Sequence, residues 1–351
     1  MGQHTAVIGD RSAGRDNHFN LIRMIAASCV LVSHAYPISL GPGAVEPLAP
    51  WLQGLSLGTV SVYVFFAISG FFITKSFDRS SSHGRFLRAR VLRLYPALVV
   101  VLALTVLIAG LFLTTVSGTT FWAAGPDYML HNLSLFSLRY DLPGVFETNP
   151  YGPPINGSLW TLSHEVLCYA GVFLAGVLGL LRAKWVLAGL LLALMLAQFF
   201  LSVLPLPLRL LTFLDLAFPF AIGTAFYVWR DRVPLRLSLA AGLAGLAVLA
   251  HPTPLFHVVF VLALSYWVFL IGLARAPRLL AYNRLGDYSY GTYIYAFPMQ
   301  QLVAFWGVTV PVMNMALAFP LTLVMAVLSW HLIEKPALAR VHRPEIRERR
   351  T

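Results

Sequence analysis

The sequence predicts an all-α fold, a polytopic integral membrane bundle of about ten transmembrane helices. Three observations carry that prediction. The 351 residues are 58% hydrophobic and only 11% charged, with a mean hydropathy of +0.74, too little polar surface to cover a water-soluble domain of this size. Ten apolar runs recur along the chain, each close to the roughly 20 residues that cross about 30 Å of hydrocarbon. Lys and Arg gather in every second connection between those runs.

The runs cover 20–38, 55–75, 95–116, 157–181, 185–204, 212–229, 235–251, 255–274, 286–306 and 311–333, the seventh being the shortest. With the N-terminus in the cytoplasm, 22 of the 25 Lys and Arg fall in cytoplasmic segments; Arg139 and Arg209 lie outside and Arg23 within a span. A wrong span count would scramble this alternation, so both termini are expected in the cytoplasm and the chain in the plasma (inner) membrane as a multi-pass protein. The expected organisation is an N-terminal tail over 1–18, one membrane domain over 19–336 and a basic tail over 337–351. The first segment has no apolar core followed by a cleavage site, so it does not read as a secretory signal. The outer connection 117–156 is long enough to cover an outward-facing cavity.

Charge and cysteine usage narrow the function classes. The net charge of +11 sits at the ends of apolar runs rather than on one helix or arm, which argues against nucleic acid as a partner and for the lipid bilayer. Cys29 and Cys168 lie inside apolar runs and have neither disulfide nor metal-ligand spacing, so no metal is expected. No internal repeat of the inverted-transporter kind is visible.

Ionisable groups inside a span cost about 2.5–3.5 kcal/mol each on insertion scales, so they mark cavities and sites. Arg23 and His34 are eleven residues apart, three turns plus roughly 20°, which puts them on one face of the first span about 16 Å apart. Arg23 lies at the cytoplasmic side and His34 toward the outer leaflet. Plainer readings are a snorkelling arginine and a satisfied core histidine. In the run Asn156-Gly-Ser-Leu-Trp-Thr-Leu-Ser-His-Glu165, the residues Ser158, Thr161, Glu165 and Tyr169 form one polar stripe, at a depth expected to match His34. A structural clasp between spans is the alternative there. The run Arg85-Phe-Leu-Arg88-Ala-Arg90-Val-Leu-Arg93-Leu-Tyr-Pro96 sets four guanidiniums at the cytoplasmic side, suited to phosphate oxygens, unless they serve only orientation and lipid headgroups.

Six stretches resemble, in order, the hallmarks of the acyltransferase family 3 membrane proteins. They are Phe19-Asn-Leu-Ile-Arg23 through His34-Ala35, Val62 through Ile73 with its Ser-Gly-Phe-Phe-Ile, Phe86 through Pro96, Asn156 through Tyr169, Leu285-Gly-Asp-Tyr-Ser-Tyr-Gly-Thr-Tyr-Ile-Tyr295 and Ile333-Glu-Lys-Pro336. The resemblance spans about 19 to 336. It implies transfer of an acyl group, most often acetyl from acetyl-CoA, to a hydroxyl of a cell-surface or exported sugar, with His34 as the catalytic residue. It also implies that, without the extracytoplasmic domain some members append, the chain completes the transfer in the membrane or passes the acyl group to a separate acyl-accepting protein.

The chemistry of the residues fits that implication. An imidazole titrating near neutrality is suited to take the proton of an attacking hydroxyl. Arg23 would stand at the start of the donor's route, Arg85, Arg88, Arg90 and Arg93 would take the CoA phosphates from the cytoplasmic side, and Glu165 would orient His34 or hold the carbohydrate or glycolipid acceptor. A covalent relay through His34 or Cys29 is a variant of this scheme. The competing function is a glycolipid or small-solute carrier or flippase, in which Arg23, His34 and Glu165 line a path.

Overall fold

The computed structural model describes residues 6–14, 16–201 and 204–341. Arg15, Arg343, Arg347, Arg349 and Arg350, which contributed to the expected sidedness, and most of the expected C-terminal tail lie outside the described residues. The helices are, in chain order, α1 (Ile8–Ser12), α2 (Phe19–Leu40), α3 (Leu57–Asp78), α4 (His83–Ile108), α5 (Gly118–Ser134), α6 (Trp160–Val177), α7 (Lys184–Ala197), α8 (Leu208–Val228), α9 (Leu237–Ala250), α10 (Phe256–Gly272), α11 (Pro277–Leu280), α12 (Ser289–Phe305), α13 (Pro311–Ser329) and α14 (Lys335–Ala339). Among the described residues there is no strand, only one isolated antiparallel bridge between Val7 and Pro234.

Each of the ten predicted runs holds a helix. Six helical segments are long and apolar enough to cross a membrane: α2, α3, α4 with the turn that ends at Leu113, α6 with its leading turn, α8, and α13 continued to Ala339. A seventh is reached if α10 is joined to Pro277–Arg284, which bends away by 88°. Helices α7 and α9 have only 14 residues each and α12 has 17. By length and composition alone, six or seven of the ten runs qualify as spans, and the others hold helices of 14 to 17 residues.

The closest helix pair is α3 with α8, and its cause is legible residue by residue. A Cβ on Gly70 would run into the carbonyl of Phe220, and one on Gly223 into the carbonyl of Ala67. Two glycines facing across the seam let the backbones touch where lipid tails supply no hydrophobic drive, and dispersion at close range replaces it. Thr74 donates to the Gly70 carbonyl at 2.7 Å and lies 3.2 Å from the Thr224 hydroxyl, so the polar groups at this seam satisfy one another.

Helix α12 is buried along nearly its whole length against α2 and α13. Pro298 lies inside it and has no N–H, which leaves the Ile294 carbonyl without its helical donor. The side-chain amide of Asn156 donates to that carbonyl at 2.9 Å, which fixes the start of α6 beside α12.

The N-terminal segment packs against the connection after α8 and the end of α10. Ile8 is fully buried, its N–H donates to Val233 at 3.0 Å, and the His18 N–H donates to Gly272 at 2.8 Å. The Gly272 carbonyl is one that the end of α10 leaves without a helical donor, whereas Val233 lies in the connection after α8. At the other boundary the helix continues past the expected limit at 336, with Ala337 buried.

Candidate active site

A cavity of about 620 Å³ opens at the basic end and runs inward between α3, α4, α6 and α12. Its mouth carries Arg79, Arg85 and Val341, its middle Arg23, Arg90, Arg93 and Glu165, and its inner end Phe65, Thr161 and Tyr293. The polar stripe read on α6 is real on three of its members: Thr161, Glu165 and Tyr169 all line the cavity, while Ser158 is buried beyond it.

Two carboxylates organise the arginines. Asp287 stands 2.6 Å from Arg93 and 3.9 Å from Arg23, and Glu334 lies 3.7 Å from the same Arg93. Gly286 makes this possible: its φ of +129° is open to glycine, and a Cβ there would strike the Trp330 indole. The turn so formed aims Asp287 inward, where it also accepts from the Ser289 hydroxyl at 2.5 Å. The structure starts α12 at Ser289, so Asp287, although inside the predicted run 286–306, lies in the connection ahead of the helix and in none of the candidate spans. Burial pushes its pKa up, but Arg93 and Arg23 outweigh burial and hold it below the ordinary carboxylate value.

Arg90 takes a different set of partners. It donates to Ser76 at 3.3 Å and sits 5.8 Å over the Tyr169 ring. Tyr169 in turn donates to Glu165, which also accepts from Ser69 at 3.2 Å. Glu165 is thus held in the wall with Arg90 and Tyr169, and no hydrogen bond joins it to His34 among the described residues. The match in depth expected from helix counting does not produce contact, because α3 supplies Ser69 as a nearer donor.

His34 does not line the cavity. Its ring meets Phe297 edge to face at 5.3 Å, and its Nδ1 is buried with no hydrogen-bond partner among the described residues. Phe297 is four residues beyond Tyr293 on α12, one turn or about 6 Å along the axis. Tyr293 closes the inner end of the cavity through a 2.6 Å hydrogen bond with Thr161. On the far side of Phe297 sits Tyr151, 5.6 Å away between ring centres. The outer connection that carries Tyr151 is pinned to α12 by Asn149, which donates to the Gln301 carbonyl at 2.9 Å, and by Gln301, which donates to Pro154 at 2.6 Å.

A family model described as an acyltransferase domain matches residues 16–333. The chain belongs to acyltransferase family 3. It is 31% identical over 345 residues to an O-acetyl transferase of Shigella phage Sf6, covering 93% of this chain and 97% of that relative. It is also 34% identical over 178 residues to nodulation protein 10 of Rhizobium leguminosarum bv. viciae, a match that covers 46% of this chain and 44% of that protein. No solved structure matches.

Within this acyltransferase the predicted site residues divide into three groups. Arg23, Arg85, Arg90, Arg93 and Glu165 share one cavity; Arg88 is exposed and outside it; His34 stands beyond its inner end. Sequence reasoning gave no role to Asp287 and Glu334, which neutralise Arg93. Their signal was present, since they are two of only 14 acidic residues, each inside a stretch that carried the family resemblance. They lie 194 and 241 residues from Arg93 along the chain, so no local spacing reports the partnership. A second polar cluster was also missed: Tyr63 donates to Asp215 at 2.9 Å, and His257 lies 3.2 Å from that carboxylate. It joins α3, α8 and α10 away from the cavity. Both cysteines are free. Among the described residues no group of three or more His, Cys, Asp or Glu is placed to hold a metal ion.

Proposed function

We propose that this acyltransferase moves an acetyl group from acetyl-CoA, entering at the basic end from the cytoplasm, to a sugar hydroxyl that approaches from the opposite side of the membrane. The observation that carries this reading is the cavity itself. It leads from a cationic mouth to within one helical turn of the aromatic ring that packs on His34. The apolar walls of Phe65, Phe72 and Ile73 suit the uncharged arm of the donor, and the relative from phage Sf6 bears the name O-acetyl transferase.

In this scheme the acceptor oxygen attacks the thioester carbonyl and its proton passes to His34, whose Nδ1 has no competing partner. The C–S bond then breaks, and the sulfur leaves and takes up a proton as free CoA. A positioned general base contributes roughly 10²- to 10⁴-fold. Glu165, held by Tyr169 and Ser69, keeps the middle of the cavity polar beside Arg90 and Arg23, a role in setting the reacting arm rather than in orienting His34. A carrier needs no acyl donor, so consumption of a thioester separates it from this reading.

The test is release of free CoA from labelled acetyl-CoA by the purified full-length protein in detergent with sugar acceptor present. His34→Ala is expected to lower turnover by 10²-fold or more while leaving donor affinity within a few-fold. Turnover that survives in His34→Ala would remove the histidine from the mechanism.

A further inference from the structure

The four arginines of α4 do not provide four phosphate ligands. Arg93 is neutralised by Asp287 and Glu334, Arg90 is engaged by Ser76 and Tyr169, and Arg88 faces away from the cavity. A second cavity of about 570 Å³ lies beside the first at the basic end, against the connection that leads into α2. The two share Arg23, Phe72, Lys75 and Arg79. Among the described residues neither Lys75 nor Arg79 has a carboxylate partner. The neighbouring Asp78 accepts instead from Tyr227 at 2.6 Å. Lys75 is held by the Ser12 carbonyl and stands over the Phe72 ring, so its ammonium is positioned at the junction.

The annex is polar and shaped by amides. Asn17, Asn20 and Asn283 line it, and Asn283 donates to the Asn17 carbonyl at 2.8 Å; Phe19 is buried in the core, and the Phe72 ring lies under Arg23 and Lys75. Three amide side chains offer the donors and acceptors that the edge of a purine needs, and a cation pair at the branch suits a phosphate located where a ligand turns from one cavity into the other. In CoA the 3′-phosphate is carried on the ribose itself, so a nucleoside seated in the annex brings that phosphate to the junction while the diphosphate and the arm lie in the first cavity. Lipid phosphate is the other source of the same chemistry, and because Arg79 is exposed the experiment distinguishes the two.

We propose that Lys75 and Arg79 bind the 3′-phosphate of CoA and that the annex receives the adenosine, a subsite distinct from the α4 arginines. This rests on the reading of the donor as an acyl-CoA. Affinities of CoA and dephospho-CoA, which lacks only that phosphate, are measured for the full-length protein and for Lys75→Gln, Arg79→Gln and the double variant. Wild type is expected to prefer CoA by roughly tenfold or more, as a charged hydrogen-bond pair provides, and the double variant to bind both equally. Lys75→Arg is expected to keep the preference, which separates loss of charge from loss of the Ser12 contact. An undiminished preference in the double variant overturns the subsite, as does a wild type without preference. If the double substitution instead reduces co-purified phosphatidylglycerol and leaves the preference intact, the cations serve lipid and the proposal fails. Absence of binding of either nucleotide to wild type would overturn the donor reading itself.

Discussion

Asp287 is the residue on which the arginine arrangement turns. It is shared by Arg93 and Arg23 and supported by Ser289, so its removal leaves Arg93 with Glu334 and leaves Arg23 with no ion-pair partner among the described residues. Breaking one partner of a buried pair costs about 3–5 kcal/mol. Asp287→Asn should therefore lower the melting temperature in detergent, and an unchanged value would show that water already compensates the arginines. The pH dependence has a definite sign. Because the folded-state pKa lies below the ordinary value, the stabilisation is complete above about pH 4 and is lost as pH falls through the folded-state pKa. The part of the stability gap between wild type and Asp287→Asn that comes from this carboxylate should shrink as the pH falls below about 4. Glu165 has a different function at this scale. Glu165→Gln keeps shape and the Ser69 contact, so it should reduce turnover more than donor affinity, whereas equal loss of both would mark a structural clasp.

At the scale of elements, two seams hold the site in register. The α3–α8 seam depends on Gly70 and Gly223, whose Cβ atoms have no room. Overpacking of this kind costs about 1–3 kcal/mol when neighbours can yield, and a backbone carbonyl yields less than a side chain. Gly70→Ala should thus destabilise the bundle and widen the cavity that Ser69 and Phe72 line, measured as a lower melting temperature and weaker donor binding. The α6–α12 seam depends on the carbonyl that Pro298 leaves free and Asn156 satisfies. Asn156→Ala should cost about 1–3 kcal/mol. In a Pro298→Ala background, where the helical N–H is restored, the same substitution should cost less, and a double-mutant cycle in melting free energy measures the difference. Additivity would show that the amide acts on something other than that carbonyl.

At the scale of the whole molecule, the basic end and the pinned outer connection define two approaches to His34. The cavity reaches its inner end at the Thr161–Tyr293 hydrogen bond, and Phe297 bridges from there to His34 and Tyr151. If the basic end is cytoplasmic, exposed positions at the two ends should differ in labelling. With Cys29 and Cys168 replaced, Asp141→Cys should react with an impermeant maleimide on intact cells and Ser81→Cys only after the membrane is opened. The reverse pattern would invert the donor and acceptor sides.

The sequence by itself determined the helical membrane character, the ten apolar runs, the shared face of Arg23 and His34 and the stripe of Thr161, Glu165 and Tyr169, because each rests on a periodicity of 3.6 residues or on composition, both local properties. Six ordered stretches also carried the family, which the match over residues 16–333 bears out. Only the tertiary structure decided which arginines are already neutralised, since Asp287 and Glu334 meet Arg93 across 194 and 241 residues of chain. It likewise decided that Glu165 pairs with Tyr169 and Ser69, that His34 stands one turn beyond the cavity, and that Lys75 and Arg79 face two cavities at once. Helical phase tells which way a side chain points along its own helix. What it points at depends on the neighbour that packing brings there, and that neighbour is set by glycine seams, a proline-freed carbonyl and a turn at Gly286.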